Sequence, residues 1–331
     1  MNEFVEPFER LLADACTPHV VRAIEAGQPT TALWDAIEGS GFLDALIPEE
    51  HGGYGLPLSE VLGLLVAEGR HATPVPVGHT MLARAVISQA GGQVPRGPIA
   101  IAPSGETKDG RIACRRVPYA LVADWIVAPL AGRWLVLPKS AATCTPCGIH
   151  GSLHADLEWP SDADAACASS MPVAWREAGA VIAAAHMAGG MERALEMSLQ
   201  FANDRVQFGR SIGKFQAIQH QLAVMAENVA AARMAAEIGC DSAGPLPQPL
   251  RAAAAKARTS EAAALVAPMA HAIHGAIGVT AELDLQLFTR RLHEARADFG
   301  SERAWNAVIG RSLIAGGQAT LDFMRAHLLP A

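Results

Sequence analysis

The sequence predicts a mainly α protein with a small β middle domain, and three observations predict it. From 171 onward the chain is Ala-rich, with helical spacing broken only by short turn signals. Between about 96 and 138 the apolar runs shorten, become β-branched or aromatic, and are separated by Gly, Pro and Asp. Before that, cap residues and prolines punctuate amphipathic stretches. The expected organisation is an N-terminal helical domain over 1–92, a reduced β domain over 93–170, and an antiparallel four-helix-type bundle over 171–331.

Residues 1–26 are expected as amphipathic helix. Thr30 or Thr31 caps a second helix through Ile37, which stops at Gly39 and Gly41. Ser59 is placed at the N-cap of a helix reaching Arg70, with Leu62, Leu65 and Val66 on one face. Pro74 and Pro76 break it, and 79–90 is helical again. No binding or catalytic site is expected in these helices. The turn-rich 91–95 marks a boundary. Strands are expected at 99–102, 112–117, 125–129 and 134–138, with Ala131-Gly132 suited to a hairpin. Helices follow at 174–204, 217–242, 249–273, 284–297 and 301–317.

Half of the 331 residues are hydrophobic, so the chain can bury a large core. A net charge of −7 argues against a nucleic-acid surface. The acidic start MNEFVEPFERLL lacks the positive region of a signal peptide, and the charge-free run 178–191 falls short of a membrane span. A cytoplasmic protein with no membrane span is therefore expected. Six cysteines fit reduced thiols better than a disulfide scaffold. Cys144 and Cys147, with His150 and His154 nearby, have the spacing of a zinc or redox pair. No second Cys pair or βαβ context supports either use, and no metal is expected.

The stretch 205–216, RVQFGRSIGKFQ, carries the chemistry. Gly209 and Gly213 bracket a turn between two long helices. Arg205, Arg210, Lys214 and, upstream, Arg193 are expected to crowd it, with Phe208 and Phe215 among them. Cations beside a flat apolar face suit a phosphate- and ring-bearing ligand. The same residues also fit a plain hairpin with solvated charges and phenylalanines plugging the core.

That run, continued by AIQHQLAVM through Met225, resembles the signature of the acyl-CoA dehydrogenase family. PEEHGGYG at 48–55 is similar to a loop of the family's N-terminal domain. HGAIGVT at 274–280, with Glu282, resembles its late Gly-rich loop. The resemblance implies FAD as cofactor, an acyl-CoA substrate and an electron-transfer flavoprotein as acceptor. It implies that Arg205 reaches the FAD pyrophosphate of a neighbouring subunit, that Phe208 lies beside the flavin or adenine, and that Gln216 joins the same site. It implies further that Ile273, His274, Gly275 and Ala276 approach the adenosine diphosphate. Ala272 and Ala276 replace the family's usual Gln and Gly. The family's ring-contacting runs are poorly matched at 102–106 and 117–125.

Family members usually carry the catalytic base as a Glu near the C-terminus; the matching residue here is Phe299. A minority carry it on the first long bundle helix, where this chain has Gly179. Glu177 is the fallback base, with Glu282, Glu294 and Glu302 as other carboxylates. This pattern resembles the short subunit of heteromeric (α2β2) bacterial acyl-CoA dehydrogenases, which act in steroid degradation. A related subunit, or self-association, is the expected partner. A self-sufficient homo-oligomer with a displaced base and a non-catalytic CoA-ester binding or scaffold protein remain alternatives.

Overall fold

The computed structural model describes residues 4–328. Amphipathic helices α1 (Val5–Ala15) and α2 (Pro18–Glu25) open the chain. The single helix expected over 1–26 is broken, because Pro18 cannot continue α1 and instead starts α2 at its first turn, capped by the Thr17 hydroxyl. Next come α3 (Thr31–Glu38), α4 (Leu58–Arg70) and α5 (Val77–Gln89). The caps are met in part, since Thr30 stands at the N-cap position of α3 as expected but makes no capping bond. Pro57, not Ser59, stands at the cap of α4. Arg84, almost wholly buried, ties α5 to Glu38 at 2.6 Å and Asp44 at 3.0 Å.

The middle region holds two four-stranded sheets face to face. One runs β1 (Ile99–Ile101), β4 (Trp125–Leu130), β5 (Arg133–Pro138), β8 (Cys167–Ser169). The other runs β2 (Glu106–Lys108), β3 (Arg111–Val117), β7 (Ala155–Pro160), β6 (Thr143–Pro146). The hairpin at Ala131-Gly132 forms as expected, with Leu130 opposite Arg133. In β4, Ile126 and Ala128 face the second sheet while Val127 faces the helical core. A strand buried on both faces reads as a continuous apolar run, which is why β4 and β5 are legible. The strands that sequence reasoning missed are β2, β6, β7 and β8. The first two are exposed polar edges, and β7 alternates with acids.

The C-terminal bundle comprises α6 (Trp175–Asp204), α7 (Gln216–Cys240), α8 (Pro249–His274), α9 (Leu285–Ala297) and α10 (Glu302–Gly316). A short α11 (Thr320–His327), not expected from sequence, follows. The stretch Pro249–Val279 is long and apolar enough to cross a membrane, a property the sequence reading missed by stopping at 178–191. Here α8 packs against α6, α7, α9 and α10. Small residues set the spacing. A Cβ at Gly69 of α4 would stand 2.1 Å from the His186 carbonyl oxygen, and one at Gly189 of α6 would stand 2.0 Å from that of Val66. The two glycines therefore let α4 and α6 touch backbone to backbone.

Candidate functional site

The elbow between α6 and α7 is a small hairpin, β9 (Val206–Gln207) against β10 (Arg210–Ser211). Phe208 and Gly209 form its two-residue loop, with φ of +50° and +77°. Two successive positive φ values are the signature of a type I′ turn, whose twist matches the flanking strands. The turn thrusts the Phe208 ring into solvent at 92% exposure. Phe215 sits half-buried behind it, 6.1 Å between centroids, and the Arg210 guanidinium stacks on Phe215 at 4.2 Å. Arg205, Arg210 and Lys214 make no ion pair among the described residues, and Gln216 opens α7 from an exposed position. Arg193 is not part of this group. It lies on α6, well before the elbow, and pairs with Glu196 at 3.3 Å.

The late loop meets the same end of the bundle. His274 stacks on Phe201, one turn before Arg205, at 4.6 Å between rings. Ile273 and His274 are buried, so their side chains serve the core. Gly275 (φ +63°) and Ala276 are exposed, and nothing lies within 4 Å of a Cβ built at Gly275. The unpaired cations, the exposed ring and this open backbone fit the diphosphate end of a flavin nucleotide. The ring end fits less well: 102–106 runs into the exposed edge strand β2, and Tyr119 of 117–125 turns into an inner cavity.

The two expected base positions lie against one another. A Cβ on Gly179 would stand 2.1 Å from the Phe299 ring, so the ring fills the space that any side chain at 179 would need. Phe299 is buried, with φ +57°. Its carbonyl accepts from Arg176 Nε at 3.1 Å. The fully buried Lys256 clamps the same turn, donating to Ser260 Oγ and to the carbonyls of Arg296 and Gly300, each at 3.0 Å. Burial pulls its ammonium down to about 8, still charged at neutral pH. Glu177 is half-buried and lines no part of the cavity beside Phe299; Glu282 is exposed, and Glu302 is paired with Arg296.

That cavity, about 80 Å³, is what sequence reasoning missed. It draws Glu25, Glu68 and His79 from the N-terminal helices where no site was expected, with Tyr119, His154, His186, Glu294 and Asp298 from elsewhere. The only sequence signal was a Glu and a His inside otherwise apolar helical runs. His154 is held by Asp298 at 2.9 Å and by Ser152 Oγ at 2.9 Å, with Glu294 at 3.6 Å. Burial lowers the His154 pKa, but the Asp298 and Glu294 carboxylates outweigh it and raise the value. His154 therefore belongs to this cluster and not to a zinc site with Cys144 and Cys147. No group able to hold a metal occurs among the described residues.

His79 behaves oppositely. Fully buried, it is held neutral down to about 3, chiefly by desolvation. An unfolded chain binds that proton near 6.5, so unfolding takes up a proton between those values. Stability contributed by neutral His79 should therefore fall as pH drops from about 6.5 towards 3. Acid-unfolding curves of the native chain and His79→Gln check this, and the variant should show the shallower decline.

Comparison with known proteins supports the same architecture. Residues 177–314 match the family profile "Acyl-CoA dehydrogenase, C-terminal domain", and residues 1–94 match "Acyl-CoA dehydrogenase, N-terminal domain". The acyl-CoA dehydrogenase IpdE2 of Mycobacterium tuberculosis is 30% identical over 295 residues, covering 87% of this chain and 89% of its own. A chain of the ChsE4–ChsE5 complex from Mycobacterium tuberculosis superposes with a TM-score of 0.81 at 21% identity, covering 96% of this chain and 99% of that one. A chain of the Tcur3481–Tcur3483 steroid ACAD (G363A variant) gives 0.79 at 22% identity, covering 95% and 97%. The structural likenesses carry the fold. The sequence match over nearly the full length carries more: this chain belongs to the acyl-CoA dehydrogenase family.

Proposed function

We propose that this chain is the base-less subunit of an FAD-dependent acyl-CoA dehydrogenase, desaturating an acyl-CoA thioester between its α and β carbons together with a related subunit. The observation that carries the reading is the Phe299 ring packed against Gly179. A carboxylate is needed to take the α proton, and neither position has an ionisable group. The elbow is kept where the base is not. Arg205, Phe208 and Gln216, with the Gly275–Ala276 backbone, would hold the diphosphate end of FAD bound to the partner. When bound, the flavin supplies the hydride acceptor for the β carbon. This chain's residues supply cationic contacts, an apolar ring and a rigid turn that presents both.

Exposed apolar side chains along the C-terminal helices, Ile314 at 82% and Leu321 at 55%, support a further chain packing there. A bulky, steroid-type acyl group is the substrate class we favour, on the strength of the steroid ACAD among its structural likenesses. An electron-transfer flavoprotein would take the electrons onward.

The test is a visible spectrum and a desaturation assay, first on the lone chain and then on the chain co-expressed with a related dehydrogenase subunit carrying the Glu. We expect little flavin and no turnover alone, and both together. Full flavin and normal turnover from the lone chain would favour the self-sufficient alternative, with Glu177→Gln then abolishing activity. No flavin even with the partner would leave the non-catalytic reading.

A further inference from the structure

The inner cavity contains a carboxyl group without a hydrogen bond. The Glu68 side chain is 1% exposed, yet neither of its oxygens has a hydrogen-bond donor. His186 Nε2 lies 3.3 Å from Oε2, off hydrogen-bond geometry, and is likewise unsatisfied. Burying a carboxyl group without hydrogen-bond partners is unfavourable, so an occupant that donates would restore what folding removes. The other carboxylates of the cavity are provided for. Asp298 has His154, and Glu25 has Arg290 at 2.8 Å and Arg291 at 2.6 Å.

The same cavity is lined by neutral donors on rings. His79 Nδ1 accepts the Ile101 N–H at 3.2 Å, which leaves the proton on its other nitrogen. The Tyr119 ring stands edge-on to His79 at 5.4 Å, on a backbone held at φ +58°. Its hydroxyl makes no hydrogen bond to any described residue, and burial keeps it protonated. Met187, Phe288, Leu292 and Phe299 close the remainder with apolar surface. Polar groups together with hydrocarbon in one cavity lining suit a small ring or branched skeleton bearing an alcohol.

Charge and lone pairs select the class. Arg290 and Arg291 are engaged by Glu25 and His154 by Asp298, so they do not decide between ligands; an ammonium can donate to Glu68 but has no lone pair to accept from Tyr119 or His79, and an anion would meet Glu68 and Glu294. A neutral hydroxyl donates to Glu68 and accepts from Tyr119 or His79. The cavity volume of about 80 Å³ sets the size, since one water needs about 10–15 Å³ of such a cavity and several would fit. We propose that this cavity binds the hydroxyl-bearing end of a compact neutral molecule, with Glu68 as its acceptor. The proposal needs neither partner nor flavin, so it stands or falls separately from the subunit reading.

Cyclopentanol, cyclopentylamine and cyclopentanecarboxylate serve as probes, titrated into the full chain and followed by ligand-observed NMR. Saturable cyclopentanol binding, at least tenfold tighter than either charged analogue, is expected. Glu68→Gln should weaken it about tenfold or more, and Tyr119→Phe, which removes one hydroxyl, severalfold. Absence of saturable binding, with water as the only occupant, overturns the proposal. So does equal binding of the charged probes, or native affinity in Glu68→Gln. If Glu68→Gln does not fold, Tyr119→Phe decides, and unchanged affinity there overturns it too.

Discussion

Gly179→Ala lowers the stability of this protein, although the same change in most helices raises it. Alanine is favoured over glycine by about 1 kcal/mol within a helix. Here the added Cβ would stand 2.1–2.4 Å from three atoms of the Phe299 ring. The ring cannot swing clear, because it is buried, edge-on to His79 at 5.8 Å, on a turn clamped by Lys256. Overpacking of this kind costs about 1–3 kcal/mol. The sign of the change is thus the test. Phe299→Ala alone should also destabilise, by about 3–5 kcal/mol, through the cavity it leaves. The double variant should lose less than the sum of the two, by about 1–3 kcal/mol, because the alanine methyl then enters vacated space. Denaturant unfolding of the four proteins completes the cycle. Additive losses would mean that the two positions do not oppose each other.

Arg205→Ala separates binding from folding. Its guanidinium has no ion-pair or hydrogen-bond partner among the described residues, while its backbone keeps the turn through the bond from Ile212 N at 2.8 Å. The thermal midpoint of the chain should therefore stay where it is. Flavin retention by the proposed assembly with a partner subunit should fall tenfold to a hundredfold, as loss of a hydrogen bond to a charged group costs about 1.5–3 kcal/mol. Phe208→Ala should act in the same direction. Arg193→Ala is the control, because that side chain is engaged with Glu196 on α6 and should leave flavin retention unchanged. Flavin released on repeated ultrafiltration measures all three. Full retention in Arg205→Ala would remove the elbow from the cofactor site.

What was readable in the sequence follows from burial. Helices α6 to α9 and strands β4 and β5 bury long or continuous apolar stretches, and their residues announce them, whereas α10 buries Trp305 alone and was read from its helical spacing. Edges such as β2 and β6 carry no such pattern, and α11 buries little beyond Phe323. The elbow was legible because charge, aromatics and glycines lie together in the chain. The cavity was not, since Glu25, Glu68, Tyr119, His154, His186 and Asp298 are scattered and meet only through the fold. The apposition of Gly179 and Phe299 belongs to the same class. Each residue alone reads as a departure from a pattern, and only packing shows that the two departures need each other.

The tip of the hairpin has an implication for how a cell must make this protein. A type I′ turn holds its shape, so the Phe208 ring cannot fold away when no mate is present. Copies synthesised in excess would then circulate with an adhesive spot, open to chance association and to quality-control proteases. For the two-subunit enzyme proposed above, matched production of the two chains, rather than tighter folding of either, is the remedy.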